Sequence, residues 1–185
     1  MTVSVVRVSS DDELVGILSL HHENLLKNLT EEVKQKEGYV TAEYDMELLK
    51  LMHSISPAVI AKDGDQVVGY VLVVTKGFYG KHALMDDLMN CVDKITFTGE
   101  ELKNVNYALC GQLCVGKNHR GLGLVQQMYD LFRQDLKAEH KYCVTDVAEG
   151  NPRSLKAHIK TGFQVIERID YDGVTFDVIL WDWCQ

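Results

Sequence analysis

The sequence lacks a long hydrophobic run. Its longest apolar stretch covers residues 67–74, far short of the roughly 20 residues that a membrane-spanning helix requires. The segment from Met1 to Glu13 carries acidic side chains and lacks the basic-then-apolar pattern of a secretory signal peptide. From these two absences we expect a cytoplasmic protein with no membrane partner.

Basic residues are also scarce. The chain has 19 Lys and Arg against 27 Asp and Glu, and its formal net charge is −8. Proteins that bind nucleic acid need clustered Lys and Arg to contact phosphates, so this balance argues against a nucleic-acid partner. The negative charge favours a cationic substrate such as an amine by electrostatic steering, although it equally serves solubility.

Cysteine spacings typical of disulfide frameworks or metal sites are missing. The cysteines are odd in number, form no C-x-x-C pair and have no histidine cluster that would complete a zinc site. Three of them, Cys110, Cys114 and Cys143, lie within apolar runs, which predicts buried and reduced thiols. We therefore expect neither a disulfide nor a metal site.

Internal repeats, low-complexity segments and interdomain linkers are absent as well, and 185 residues suffice for one domain with its own core. Apolar spacing and turn signals predict strands at residues 3–8, 58–61, 66–75, 107–115, 142–147, 163–169 and 174–183, the last two joined by a turn at 171–173. The same criteria predict helices at residues 11–28, 43–53, 82–92, 121–136 and 151–161. We expect one mixed α/β domain over residues 1–185, in which an insertion at about 77–104 covers a substrate pocket.

A glycine-containing stretch, residues 111–125, joins a predicted strand to a long predicted helix. Backbone N–H groups at the start of such a helix form a ready site for a phosphate group. Two common phosphate motifs fit this stretch poorly. A P-loop would need Ser or Thr where Asn118 stands, and a dinucleotide-binding motif that begins at Gly121 would need a third glycine where Gln126 stands.

Two segments resemble the signature motifs of the GNAT N-acetyltransferases. Residues 120–125, RGLGLV, resemble motif A, R/Q-x-x-G-x-G/A, with Val125 in place of the final Gly or Ala. Residues 151–163, NPRSLKAHIKTGF, are similar to motif B, N-x-x-[S/A]-x-x-x-[Y]-x-x-x-G-F. One helix and one strand separate the two motifs, as in that superfamily. Two spaced motifs in the right order arise by chance far less often than either one alone.

This resemblance implies the acyl-CoA N-acyltransferase fold, a central, mostly antiparallel twisted sheet with one parallel βαβ pair and helices on both faces. It implies acetyl-CoA as co-substrate, with no metal, and a pantetheine arm held in the gap between strands 107–115 and 142–147. The implied cofactor-binding residues are Leu113, Val115, Arg120, Gly121, Leu122, Gly123, Leu124, Val125, Asn151 and Ser154. Asn151 also suits a plain helix N-cap, and Arg120 a solvated turn position.

The same resemblance nominates His158 as the catalytic acid. His158 stands where many members have a Tyr that protonates the departing thiolate, and an imidazole titrates near neutrality. Its helical face, shared with Leu155 and Ile159, equally suits a packed core histidine. Family bases are often carboxylates on the strand before motif A. That strand has none here, and the alternatives are Asp146, Glu149 and a chain of water molecules that carries the proton to solvent.

The leading hypothesis for function is acetyl transfer from acyl-CoA to a primary amine of a small molecule or a peptide. The expected partners are that acceptor and, as one option, a second copy of the chain. The alternative is a non-catalytic acyl-CoA-binding or regulatory domain of the same fold. Val125, His158 and the missing strand carboxylate keep this alternative open.

Overall fold

Strands and helices alternate along most of the chain in the computed structural model, which describes residues 3–171 and 173–184 and only the backbone of residues 35–37. The strands are β1 (Val3–Arg7), β2 (Val59–Asp63), β3 (Gln66–Val74), β4 (Thr96–Phe97), β5 (Glu100–Glu101), β6 (Tyr107–Val115), β7 (Tyr142–Ala148), β8 (Gln164–Tyr171) and β9 (Val174–Asp182). The helices are α1 (Asp11–Asn24), α2 (Glu31–Glu37), α3 (Met46–Ile55), α4 (Ala83–Asp93), α5 (Leu124–Leu136) and α6 (Pro152–Thr161).

Seven of the described strands form one sheet, in the order β1-β2-β3-β6-β7-β9-β8, and β4 pairs with β5 in a separate hairpin. The pairs β1–β2, β2–β3, β7–β9 and β8–β9 are antiparallel, whereas β6 and β7 are parallel. The parallel pair follows from α5, because a helical crossover returns the chain in the same direction. The prediction of a mixed α/β fold with a mostly antiparallel sheet is therefore confirmed.

The described chain separates into two compact units. The first unit contains the residues up to Val73 together with Gln112–Phe132, and the second contains Val74–Gly111 and the residues from Arg133 onward. Strand β6 and helix α5 each contribute residues to both units. In the second unit, the predicted insertion at 77–104 forms α4 and the β4–β5 hairpin. Its role as a cover for a substrate pocket stays a prediction.

In the first unit, α1 and α3 pack against each other through apolar stripes that include Leu14 and Leu49, both buried. Ser10 caps α1 by accepting a hydrogen bond from Glu13 N–H, and Asp45 caps α3 by accepting one from Leu48 N–H at 2.8 Å. Each cap satisfies an N–H group that the start of a helix would otherwise leave unpaired. The caps and the stripe fix the course of α1, which ends at Asn24.

In the second unit, α6 has the ends that the sequence predicts. Asn151 accepts a hydrogen bond from Ser154 N–H, Pro152 is the first helical residue, and Gly162 ends the helix with φ +123°. A Cβ at Gly162 would lie 2.7 Å from Trp181 Nε1, so this position needs glycine for space as well as for φ.

Three predicted helix boundaries are wrong. Helix α1 ends at Asn24, and a 3₁₀ turn takes up Leu26–Asn28. Helix α3 begins at Met46 because Asp45 is its N-cap, and α5 begins at Leu124 because two glycines before it have positive φ. The predicted turn at 171–173 includes Asp172, which lies outside the described residues, but Tyr171 and Val174 pair across it.

Candidate active site

The glycine loop (residues 116–123) connects β6 to α5 in the first unit. Gly121 and Gly123 have φ values of +80° and +76°, a region that side chains other than glycine rarely adopt. The Gly123 carbonyl accepts the first helical hydrogen bond, from Gln127 N–H at 3.2 Å. By helix geometry, the N–H groups of residues 124–126 have no acceptor within α5. A Cβ at Gly121 would meet nothing within 4 Å, so the space beside this residue is open to an anion.

Four hydrogen bonds hold the base of the glycine loop within the first unit. Gly116 N–H donates to the Val68 carbonyl at 2.8 Å, and His119 Nε2 lies 3.3 Å from a carboxylate oxygen of Asp63. The Arg120 guanidinium donates through Nε to the Val115 carbonyl and through Nη2 to Asn24 Oδ1, both at 2.9 Å. These contacts give Arg120 a positioning role in the loop. Its predicted contact with the cofactor stays a prediction.

The apolar residues of motif A differ in their surroundings. Leu124 is buried and anchors the start of α5, whereas Leu122 is 57% exposed. Val125, which replaces the usual Gly or Ala, is half-buried in the first turn of the helix. On β6, Leu113 and Val115 are half-buried and alternate with the buried Cys114, so they share one face of the strand.

The parallel pairing of β6 with β7 lies in the second unit. It runs from Tyr107↔Tyr142 to Leu109↔Val144, while β6 continues to Val115 and β7 to Ala148. At the next residue of β6, the Cys110 carbonyl accepts a hydrogen bond from the Thr145 hydroxyl at 2.8 Å. The predicted pantetheine site between the two strands stays a prediction.

The motif B residues lie on α6 in the second unit. The Asn151 residue is 6% exposed, and its side-chain oxygen accepts from Ser154 N–H at 3.4 Å, so it caps the helix. Ser154 is half-buried, and its carbonyl oxygen lies 2.8 Å from Nδ1 of His158. The glycine loop and these residues therefore belong to different units.

His158 is a buried histidine in the second unit. Its residue is 3% exposed, and its ring meets the ring of Phe163 edge to face at 5.2 Å. Burial lowers the pKa of His158 to about 4, despite the hydrogen bond to the Ser154 carbonyl. Since a carbonyl only accepts, Nδ1 carries the proton of the neutral ring and Nε2 carries none. Such a ring can accept a proton at Nε2 but must be protonated first before it can donate one there.

Asp146 is the carboxylate of β7, and it is more basic than an ordinary aspartate. Desolvation raises its pKa to about 6, and no charged partner contributes to that shift in the described part of the chain. Its backbone registers with Val178 of β9, and its neighbours Thr145 and Val147 are buried. The other predicted alternative, Glu149, lies 3.4 Å from the Arg168 guanidinium in an exposed ion pair. Of the two, Asp146 is therefore the residue whose pKa better suits a general base.

A largely buried polar network in the first unit was not predicted from the sequence. Gln112 Oε1 accepts from the Tyr70 hydroxyl at 2.7 Å and lies 3.0 Å from His21 Nδ1. Its Nε2 donates to the Ala42 carbonyl at 3.2 Å. Tyr70 and His21 are at most 1% exposed. The sequence signal for this network is that Gln112 and His21 are polar residues at positions of β6 and α1 where the spacing predicts apolar ones.

The cysteines are free thiols in the structure. Cys110, Cys114 and Cys143 are buried, as predicted, whereas Cys91 is half-buried and Cys184 is exposed. Burial raises the pKa of the Cys114 thiol to about 12 and also raises that of Cys143. Among the described residues, no group of three or more His, Cys, Asp or Glu side chains is placed to hold a metal ion. No helix within 3–171 and 173–184 is long and apolar enough to cross a membrane.

Comparison with known proteins places this geometry in a family. A profile described as the acetyltransferase (GNAT) family matches residues 22–163, which include the glycine loop, β7 and α6. A search of curated proteins returns no match.

Several solved structures share the fold across nearly the whole chain. Naa20 from Chaetomium thermophilum, solved with a bisubstrate analogue, is 11% identical with a TM-score of 0.66, covering 97% of this chain and 86% of that chain. The protein yncA from Salmonella typhimurium, solved with acetyl-CoA, is 12% identical with a TM-score of 0.60, covering 99% and 95%. A ribosomal-protein-alanine N-acetyltransferase from Brucella melitensis is 14% identical with a TM-score of 0.61, covering 97% and 99%. These similarities confirm the acyl-CoA N-acyltransferase fold.

Proposed function

The chain belongs to the acetyltransferase (GNAT) family, and from that premise we propose that it transfers an acetyl group from acetyl-CoA to a primary amine. The observation that carries this proposal is the glycine loop. Its two positive-φ glycines lead into the first turn of α5, and a Cβ at Gly121 would meet nothing within 4 Å. This arrangement suits the pyrophosphate of CoA, because the N–H groups and the helix dipole both favour negative charge.

The proposed contacts with the cofactor are mostly backbone contacts. Residues 121–125 would bind the pyrophosphate, and the backbone at Leu113 and Val115 would bind the pantetheine arm. The contacts of Asn151 and Ser154 with the cofactor stay proposals as well. Backbone contacts explain how motif A can carry Val125, since its side chain, not its N–H, differs from the family pattern.

The proposed base is Asp146. An amine must lose a proton to attack the thioester, and efficient general bases have a pKa near the working pH. Asp146, with a pKa raised to about 6, is ionised at neutral pH and still basic enough to accept that proton. In the transfer, the amine nitrogen bonds to the acetyl carbon while the carbon–sulfur bond breaks, and the CoA thiolate leaves.

His158 is the proposed proton donor to that thiolate, and its environment sets a condition on the role. With a pKa of about 4, only about one ring in a thousand is protonated at pH 7. This observation specifically supports the second candidate function, an acyl-CoA-binding domain without transferase activity.

The acceptor class is a further part of the proposal. The structural neighbours include yncA, solved with acetyl-CoA, as well as a NatC complex bound to a peptide and CoA. We propose a small-molecule or peptide amine, with the net charge of −8 favouring a cationic one. The cytoplasmic location stays a prediction.

Calorimetry with acetyl-CoA, followed by a screen of amines for release of free CoA, tests the proposal. We expect acetyl-CoA to bind with a Kd of about 10 μM or lower, which corresponds to roughly −7 kcal/mol. Amine-dependent thiol release would support the transferase. Tight binding without release by any polyamine, aminoglycoside or peptide amine would favour the binding domain, and no binding would exclude both.

A further inference from the structure

The last turn of helix α1 holds the glycine loop. Asn24, which is 9% exposed, accepts a hydrogen bond at Oδ1 from Arg120 Nη2 at 2.9 Å. Its Nδ2 donates to the Leu20 carbonyl at 2.8 Å, which fixes the orientation of the amide. Arg120 is held at its other side by the Val115 carbonyl. One side chain at the end of α1 therefore holds the guanidinium that closes the base of the glycine loop.

The backbone of the same residue also holds the two ends of a second segment, which contains the 3₁₀ turn and α2 and which we call the 26–39 loop. Val40 N–H donates to the Asn24 carbonyl at 3.0 Å, and Leu26 N–H donates to the Val40 carbonyl at 2.9 Å. Leu25 and Val40 are both buried, so water does not compete readily at these two ends. Because buried hydrogen bonds are costly to break, the 26–39 loop leaves and rejoins the first unit at a point that Asn24 determines.

One turn earlier on α1, His21 holds the residues that follow the 26–39 loop. His21 Nε2 accepts from Tyr44 N–H at 3.4 Å, so its proton lies on Nδ1, which donates to Gln112 Oε1 at 3.0 Å. Gln112 Nε2 donates to the Ala42 carbonyl at 3.2 Å. Burial keeps the pKa of His21 below its usual range, so the network is neutral. Residues 42–44 are thus tied to both α1 and β6.

We propose that the last turn of α1 couples occupancy of the glycine loop to the conformation of the 26–39 loop, with Asn24 as the positioning residue. The inference rests on the proposed function, because the ligand it invokes is the pyrophosphate of CoA. An anion bound at residues 121–125 restricts the adjoining Arg120, Arg120 restricts Asn24, and Asn24 holds the two ends of the 26–39 loop. Occupancy of one loop therefore reduces the motion of the other.

Hydrogen–deuterium exchange of the whole protein, with and without saturating CoA, tests this coupling. In the wild type we expect CoA to slow exchange of backbone amides within residues 26–40 by about tenfold, since opening of the loop becomes rarer. In Asn24→Leu the slowing should disappear, while the Kd for CoA changes by less than about threefold because Asn24 is not among the residues proposed to contact CoA. Asn24→Asp keeps an acceptor for Arg120 and should retain most of the slowing.

A matched control is available in the 26–39 loop itself. Asn28 Nδ2 also donates to a carbonyl of α1, that of His22 at 2.8 Å, but in an exposed position. Asn28→Leu should therefore keep the CoA-dependent slowing. If Asn24→Leu does not fold, Arg120→Gln, measured at saturating CoA, removes the same hydrogen bond from its other side and should also abolish the slowing.

The outcomes separate this inference from the proposed function. If calorimetry shows that CoA does not bind the wild type, the proposed function fails and the coupling fails with it. If CoA binds but leaves exchange in residues 26–40 unchanged, only the coupling is overturned. The coupling is also overturned if CoA slows exchange in Asn24→Leu and Arg120→Gln as much as it does in the wild type.

Discussion

At the scale of single residues, the Asp146 carboxyl combines a cost in stability with a gain in basicity. Its pKa is raised from 3.8 to about 6 in the folded protein. The folded state therefore holds this proton more tightly than the unfolded chain, and stability falls as the pH rises from about 4 to 6. Groups with strongly shifted pKa values cluster at functional sites, which is consistent with the proposed role of Asp146 as the base.

Replacement of Asp146 by Asn tests both aspects. At pH 8 we expect the free energy of unfolding of Asp146→Asn to exceed that of the wild type by about 1–3 kcal/mol, because the variant forms no buried charge. At pH 4 the gain should vanish, since the wild-type carboxyl is then protonated. Acetyl transfer should fall by about 100-fold or more if Asp146 is the base. Urea unfolding at both pH values and a thiol-release assay give the two answers, and full activity in the variant would exclude Asp146.

His158 offers the converse case among the residues. Its pKa is lowered to about 4 from 6.5, so the folded state disfavours the proton, and the stability that the neutral ring contributes is lost as the pH falls through this range.

His158→Phe separates the two roles that the sequence allows. If His158 is the proposed proton donor, we expect the variant to transfer acetyl groups about 100-fold more slowly or worse, whereas the loss of a ring that is only packed and neutral should change transfer by less than about fivefold. The variant should also lose less stability than the wild type between pH 7 and 5. Rates at pH 6–9 measure the first effect and thermal unfolding the second. A hundredfold slower kcat with unchanged acetyl-CoA affinity would establish His158 as the acid.

At the scale of elements, the proposed affinity of the glycine loop for its ligand depends on the backbone conformation of the loop. The positive φ of Gly123 directs the N–H groups that precede and begin α5. Gly123→Ala should weaken acetyl-CoA binding by about tenfold or more, because a side chain at this φ costs on the order of 1 kcal/mol and shifts these groups. Calorimetry measures the affinity.

Gly64→Ala is the matched control. Gly64 has φ +60° in the β2–β3 turn, and its Cβ would meet nothing within 4 Å. This variant should lose similar stability and bind acetyl-CoA as the wild type does. Equal affinity in Gly123→Ala would show that the loop does not bind the pyrophosphate.

The elements also show how far the sequence predicts this molecule. Local signals sufficed for α6, since Asn151, Pro152 and Gly162 each act within one turn of their own position. The end of α1 escaped prediction because Val40, distant in sequence, takes up the Asn24 carbonyl. The network around Gln112 escaped for the same reason. Motif A predicted the glycine loop but not the partners of Arg120, which come from α1 and β6.

At the scale of the whole molecule, the net charge of −8 opposes an anionic ligand that the glycine loop attracts locally. Salt screens the long-range repulsion as well as the local attraction. Since backbone N–H groups rather than Lys or Arg supply the proposed contacts, we expect the Kd for acetyl-CoA to change by less than about threefold between 50 and 300 mM NaCl. Calorimetry across this range checks it, and a tenfold weakening would indicate contacts from basic side chains instead.

The distribution of the thiols has a practical consequence for such experiments. A colourless disulfide reagent that reports released CoA also reacts with protein thiolates, at rates set by exposure and pKa. Cys184 should react at once and Cys91 slowly, whereas Cys110, Cys114 and Cys143 are shielded while the protein is folded. Background absorbance greater than that expected from Cys184 and Cys91 would therefore show that the protein is unfolding during the assay.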